Sequence, residues 1–68
     1  MQKAITIEDV AVRVKELREA MGLTQMQLAS HIGVTTTAVN RWENSKAVPH
    51  AICQGVIKEL ESQYFEGK

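Results

Sequence analysis

The chain has 68 residues, 44% of them hydrophobic, and its eight Lys and Arg residues balance eight Asp and Glu residues. This length predicts one domain over residues 1–68, and a single cysteine excludes a disulfide framework and indicates a reducing, intracellular setting. The sequence shows neither a signal-peptide pattern nor an apolar run near the ~20 residues of a membrane span, so we expect a cytoplasmic protein with no membrane partner.

The first predicted helix covers about residues 7–21. Thr6 is its expected N-cap, because the hydroxyl can accept a hydrogen bond from the free amides of the first turn. Gly22 follows the helix at the position where a left-handed C-terminal cap is expected. Between these two signals, hydrophobic residues recur at spacings of three and four, which predicts one buried face formed by Ile7, Val10, Val14, Leu17 and Met21.

Two short helices are predicted next, over about residues 25–32 and 36–44. Thr24 and Gln27 form a capping-box pattern at the start of the first helix. Thr35 is the expected N-cap of the second helix. The residues predicted to face inward from these two helices are Leu28, Ala29, Ile32, Ala38, Val39 and Trp42.

The last predicted helix covers about residues 49–64 and follows a loop at residues 44–46. Pro49 is expected in its first turn, where the missing amide hydrogen breaks no helical bond. No segment alternates with a period of two for long enough to predict a strand, so the sequence predicts an all-α fold of four to five helices. The buried face of the last helix is predicted to be formed by Ile52, Val56, Leu60 and Tyr64.

The two short helices and the turn between them form a helix-turn-helix pattern. Gly33 lies in the predicted turn, residues 31–34, and lets the second helix project into a DNA major groove ~12 Å wide. Because Val39 and Trp42 must point to the core, the opposite face of this helix points outward. It lacks the Glu–Lys pairs of an ordinary solvated face. We therefore interpret it as a surface that reads DNA bases, formed by Thr36, Thr37, Asn40 and Arg41.

Three stretches of the chain resemble one known family: Leu17 to Ala29, Ile32 to Val34, and Val39 to Asn44. They are similar to the phage repressor and Cro class of helix-turn-helix regulators, also called XRE-type, and the similarity extends over about residues 8–60. The resemblance implies a compact lambda-repressor-like domain, closest in size to a Cro-type protein. The most specific matching positions are Arg18, Leu23-Thr24-Gln25, Leu28-Ala29, Gly33 and Trp42-Glu43-Asn44.

The resemblance also implies a role for individual side chains. Thr36, Thr37 and Arg41 match base-contacting positions, and Arg41 can hold a guanine edge with two bonds, worth ~1–3 kcal/mol of discrimination. Arg18 and Glu43 match a structural ion pair. The positions that imply contacts with DNA phosphates are Gln25, Thr35, Asn44 and Lys46.

One position departs from the family pattern. The family often has glycine after the Glu-Asn pair, where this chain has Ser45, so we expect a different backbone conformation in that loop.

The expected function is transcriptional repression through a two-fold operator in double-stranded DNA. One recognition helix reads only ~4–6 base pairs, so we expect a homodimer that binds half-sites ~34 Å apart. We expect the dimer surface in the loop at residues 45–49 or in the last helix, where Tyr64 and Phe65 are candidates. Two alternatives stay open: an antitoxin of a toxin–antitoxin pair, and a protein-interaction module on the same fold.

Other chemistries find little support in the sequence. His50 and Cys53 lie three residues apart on one helix, but with His31 as the only further candidate they do not make a zinc site. Trp42 is expected in the core rather than stacked on an unpaired base. No catalytic constellation is visible, so we expect no enzymatic activity, no cofactor and no small-molecule ligand.

Overall fold

The computed structural model describes residues 7–66, and all regular structure within them is helical. The elements, in chain order, are α1 (Ile7–Met21), α2 (Gln25–Ile32), α3 (Thr36–Glu43), α4 (Ala51–Glu61) and a π-helical turn (Ser62–Glu66). The all-α prediction and the positions of the first three helices are confirmed. The expected cap at Thr6 lies outside the described residues.

Helices α1 and α2 are joined by two caps in succession. Gly22 has φ +70°, and the N–H of Leu23 donates to the carbonyl of Arg18 at 3.0 Å, which closes a Schellman motif at the end of α1. The Thr24 hydroxyl then accepts from the N–H of Gln27 at 3.1 Å. The Gln27 side chain accepts from the N–H of Thr24 at 2.9 Å, which completes the predicted capping box.

Helices α2 and α3 are joined by only three residues, 33–35. The prediction of a turn over residues 31–34 is therefore shifted, since its first two residues still belong to α2. Gly33 sets the end of that helix because it adopts φ +95°, a left-handed conformation that glycine tolerates without a steric penalty. Thr35 caps α3 as predicted, and its hydroxyl accepts from the N–H of Ala38 at 3.1 Å.

The core lies where α3 and α4 each pack against α1 and α2. Leu17, Leu28 and Val39 have no exposed surface, and Trp42 is only 5% exposed, so the core position predicted for Trp42 is confirmed. Because Val39 and Trp42 point inward from α3, helical geometry directs the other side of α3 to solvent. The cluster of buried residues is formed by Val10, Val14, Leu17, Leu28, Ala29, Val39, Trp42, Ile57 and Leu60.

The start and end of α4 differ from the prediction of one helix over residues 49–64. Its first helical residue is Ala51, so Pro49 precedes the helix instead of lying in its first turn. His50 takes the N-cap position with extended backbone, and the Gln54 side chain donates to the carbonyl of Pro49 at 2.8 Å. The α-helical hydrogen-bonding pattern ends at Glu61, where the π-helical turn begins.

The predicted buried face of α4 is also wrong in part. Ile52 is 83% exposed and Tyr64 is 48% exposed, whereas Ile57, which the prediction omitted, is only 3% exposed. Leu60 is buried as predicted and Val56 is partly buried. Helix α4 therefore buries a face that shares Val56 and Leu60 with the expected one but is turned towards Ile57 and away from Ile52.

An ion pair links α1 to the end of α4. The Arg13 guanidinium donates to both carboxylate oxygens of Glu61, at 2.6 and 3.0 Å. The Glu61 carboxylate raises the pKa of Arg13. The Arg13 side chain is 38% exposed, so water screens this pair.

In the described part of the chain, no helix is long and apolar enough to cross a membrane.

Candidate nucleic-acid interface

The outward face of α3 consists of four residues on two successive turns of the helix: Thr36, Thr37, Asn40 and Arg41. All four side chains are exposed. At 3.6 residues per turn they occupy an arc of about 140° on the helix surface. The buried Val39 and Trp42 lie on the other side of the helix. We refer to these four residues as the reading face.

Acidic charge is kept away from the reading face. Glu43 is the only acidic residue of α3, and its side chain is 5% exposed and paired with Arg18. The exposed cations of this region are Arg41, on α3, and Lys46, in the loop that follows it. The Arg41 side chain makes no hydrogen bond within residues 7–66, so its guanidinium is available for an external acceptor. The charge presented to solvent here is therefore basic, although the chain as a whole is neutral.

Arg18 and Glu43, the two residues expected to form an ion pair, lie in direct contact. The Arg18 guanidinium donates to both Glu43 carboxylate oxygens, Nε to Oε2 at 2.7 Å and Nη2 to Oε1 at 3.1 Å. Its third nitrogen donates to the carbonyl of Leu23 at 3.0 Å. The hydrogen bond with Glu43 raises the pKa of Arg18. This bidentate contact fixes the last turn of α1 against the last turn of α3.

Two further side chains extend this ion pair to the protein surface. Gln25, the first residue of α2, donates from Nε2 to Oε1 of Glu43 at 3.0 Å. Asn40, on the reading face, donates from Nδ2 to Oε1 of Gln25 at 3.2 Å. The result is a continuous polar chain from Arg18 through Glu43 and Gln25 to Asn40, which we call the polar network. No sequence pattern connects Gln25 with Asn40 or Glu43, which lie 15 and 18 residues further along the chain.

The residues expected to contact phosphates lie at the ends of α2 and α3. Gln25 and Thr35 lie at the starts of these helices, where backbone N–H groups and the helix dipole favour an anion. Asn44 caps the end of α3 by donating its side-chain N–H to the carbonyl of Asn40 at 2.8 Å. Lys46 is exposed beyond that cap. Thr35, Asn44 and Lys46 thus flank the reading face along the chain, and Gln25 contacts it from α2 through Asn40.

The loop after α3 closes in the same way as the end of α1. The N–H of Lys46 donates to the carbonyl of Arg41 at 2.8 Å, and Ser45 has φ +59°. This is the left-handed conformation that glycine usually provides at such a cap. Serine therefore takes the glycine-type conformation, and the expected change of loop conformation is not observed.

The remaining polar candidates do not form a site. Within residues 7–66 there is no group of three His, Cys, Asp or Glu residues that could hold a metal ion. His31 and His50 are exposed, and Cys53 is a partly buried free thiol that packs against the core.

Comparison with known proteins agrees with this geometry. A family model described as helix-turn-helix matches residues 14–51, which are 38 of the 68 residues. The match includes α2, α3 and most of α1, and therefore the whole polar network and the reading face. No curated protein and no solved structure gives a significant match to the chain.

Proposed function

The chain belongs to the XRE, Cro and lambda-repressor type of helix-turn-helix family, whose members are DNA-binding regulators, and we propose that it represses transcription from a specific operator. The observation that carries the proposal is the reading face on α3. Its four side chains are exposed, polar or basic, and held outward by the burial of Trp42 on the opposite side. We propose that the protein acts in the cytoplasm, on the double-stranded DNA of a bacterium or phage.

Within this proposal, α3 lies in the major groove and Arg41 reads a guanine. The free guanidinium of Arg41 can donate two parallel hydrogen bonds to O6 and N7 of guanine, worth about 1–3 kcal/mol of discrimination. Thr36 and Thr37, in the first turn, can donate or accept one bond each and can pack their methyl groups on a thymine methyl. Arg41 therefore supplies more of the specificity than either threonine.

Contacts with phosphates would hold α3 in register without reading sequence. Lys46 supports this role because it is exposed, cationic and two residues beyond the end of the helix cap. Gln25 and Thr35 support it through their positions at helix N-termini, and Asn44 through its place at the C-terminal cap. Such contacts give binding a steep dependence on salt.

We further propose that the protein binds its operator as a homodimer. A single recognition helix contacts too few base pairs for a specific operator, and a two-fold dimer doubles the site. Exposed hydrophobic side chains on and next to α4 support a self-association surface there: Ile52 is 83% exposed and Val48 is 48% exposed. Tyr64 and Phe65, at 48% and 53%, lie in the π-helical turn that follows α4. An apolar surface of this kind is typical of a contact between protein copies.

The experiment that tests the proposal is selection from a randomised duplex library, followed by binding titrations at several salt concentrations. The selected duplex and a scrambled duplex of the same composition are compared. We expect a palindromic site, a preference of about 10³-fold or more over scrambled DNA, and a steep loss of affinity with salt. Equal affinity for both duplexes at every salt concentration would overturn the proposal.

A matched pair of variants sharpens this test. Arg41→Ala removes a cation from the reading face, and Lys58→Ala removes an exposed cation from α4, outside the helix-turn-helix. We expect the first to reduce sequence preference and the second to leave it unchanged.

A further inference from the structure

We infer that Gln25 is a positioning residue that orients Asn40 to read an adenine in each half-site. The inference rests on the proposed function and deepens it, because it assigns one base of the operator to one side chain. It also gives Gln25 a role that a phosphate contact alone would not have.

The buried end of the polar network is fixed by the Arg18–Glu43 pair. The Glu43 carboxylate is 5% exposed and receives two hydrogen bonds from Arg18, at 2.7 and 3.1 Å. A carboxylate in such a pair is ionised and can only accept hydrogen bonds. A glutamine in contact with this carboxylate must therefore turn its amino group towards it, as Nε2 of Gln25 does at 3.0 Å.

This requirement determines which way each amide group faces. Because the amino group of Gln25 points to Glu43, its carbonyl oxygen Oε1 points the other way, towards α3. An oxygen can only accept, so Asn40 must present its amino group to Gln25, as it does at 3.2 Å. The Glu43 carboxylate, which only accepts hydrogen bonds, thus sets the orientation of the exposed Asn40 side chain two hydrogen bonds away.

The remaining hydrogen-bonding groups of Asn40 match one base. A carboxamide has two N–H donors and one acceptor oxygen, and Gln25 takes one of the donors. Asn40 keeps one N–H and its Oδ1 for DNA. In the major groove, adenine presents an acceptor at N7 and a donor at N6, whereas guanine presents two acceptors. An oriented donor and acceptor on Asn40 therefore select adenine.

The test compares base preferences of four proteins: the native chain, Asn40→Ala, Gln25→Met and the double variant. Methionine keeps the length of Gln25 without its hydrogen bonds. Each protein is titrated with a selected operator and with duplexes that carry the other three bases at each half-site position. The readout is the ratio of two affinities measured on one preparation, so a partly unfolded fraction cancels. Lys46→Ala is the control for a residue that contacts only phosphate.

We expect the native chain to prefer adenine at one half-site position by about tenfold or more. Asn40→Ala should abolish this preference, and Gln25→Met should reduce it several-fold at the same position while the other positions keep theirs. The double variant should have the same preference as Asn40→Ala, because Gln25 acts through Asn40. Lys46→Ala should lower the affinity for all duplexes and leave every ratio unchanged.

Two results would overturn the inference while the proposed function stands. One is a Gln25→Met variant that loses affinity equally for all four bases, as Lys46→Ala is expected to do. The other is that Asn40→Ala abolishes the base preference at a position where the native chain prefers a base other than adenine. If the native chain selects no site at all, the proposed function itself fails.

Discussion

Replacement of Arg18 by methionine should destabilise the protein far more than the same replacement of Arg13. Both arginines lie on α1 and both form bidentate pairs with a glutamate. They differ in burial, because the Arg18 and Glu43 side chains are 17% and 5% exposed, against 38% and 18% for Arg13 and Glu61. Arg18→Met leaves the Glu43 carboxylate in the protein interior with only Gln25 as a partner.

The expected loss of unfolding free energy follows from this difference in burial. Loss of one member of a buried ion pair costs about 3–5 kcal/mol. Since Arg18 retains some exposure, we expect the lower value, about 3 kcal/mol. Loss of a largely exposed pair such as Arg13–Glu61 costs less than about 1 kcal/mol. A domain of this size has a total unfolding free energy of roughly 3–10 kcal/mol, so Arg18→Met should remove about 30% or more of it.

Urea unfolding followed by circular dichroism measures both effects. With a slope of about 1 kcal/mol per molar urea, the midpoint should fall by about 3 M for Arg18→Met and by less than about 1 M for Arg13→Met. The double variant Arg18→Met with Glu43→Leu removes both charges and should be more stable than Arg18→Met alone. The reasoning is refuted if Arg18→Met lowers the midpoint no more than Arg13→Met does.

Four further outcomes are expected from single substitutions. Arg41→Ala should lower the preference for one base pair per half-site by about 1–3 kcal/mol, measured as affinity ratios on base-substituted operators. Lys46→Ala should weaken binding to every duplex and reduce the slope of log affinity against log salt by about one. Ile52→Glu should abolish self-association in sedimentation experiments with little change in stability, whereas Val12→Glu, a 54% exposed control on α1, should leave self-association intact. Ser45→Gly should raise the unfolding free energy by about 0.5–1 kcal/mol in urea titrations, because glycine removes the cost of a left-handed φ at that position.

The first three helices were predictable because their boundaries depend on local chemistry. A left-handed residue ends α1 at Gly22 and α2 at Gly33, and hydroxyl caps at Thr24 and Thr35 start the next helices. Each signal acts within four residues of the chain. The sequence therefore contains the boundary information without any knowledge of the tertiary structure.

Helix α4 was less predictable because its sequence allows more than one buried face. Ile52, Val56 and Leu60 form one stripe at helical spacing, and Cys53, Ile57 and Leu60 form another. Only packing against α1 and α2 decides between them, and it places Ile57 inside and Ile52 in solvent. Periodicity alone does not show which of the two stripes is buried.

The polar network was not predictable for a related reason. Gln25 is separated by 15 residues from Asn40 and by 18 from Glu43, and no local pattern brings them together. Their contact depends on how α2 lies across α3. The sequence pattern indicates that each of these side chains is functional, but their hydrogen-bond partners follow only from the tertiary structure.

Helix α1 has a consequence for the geometry of the operator. Arg13 and Arg18 lie five residues apart, so they point in directions about 140° apart around α1. One holds the end of α4 and the other holds the end of α3. In the dimer proposed through α4, α1 of each protomer would help to set the distance between the two recognition helices, because it is bonded to both α3 and α4. We therefore expect the half-site separation that the protein accepts to depend on α1, a helix that lies outside both the reading face and the proposed dimer surface.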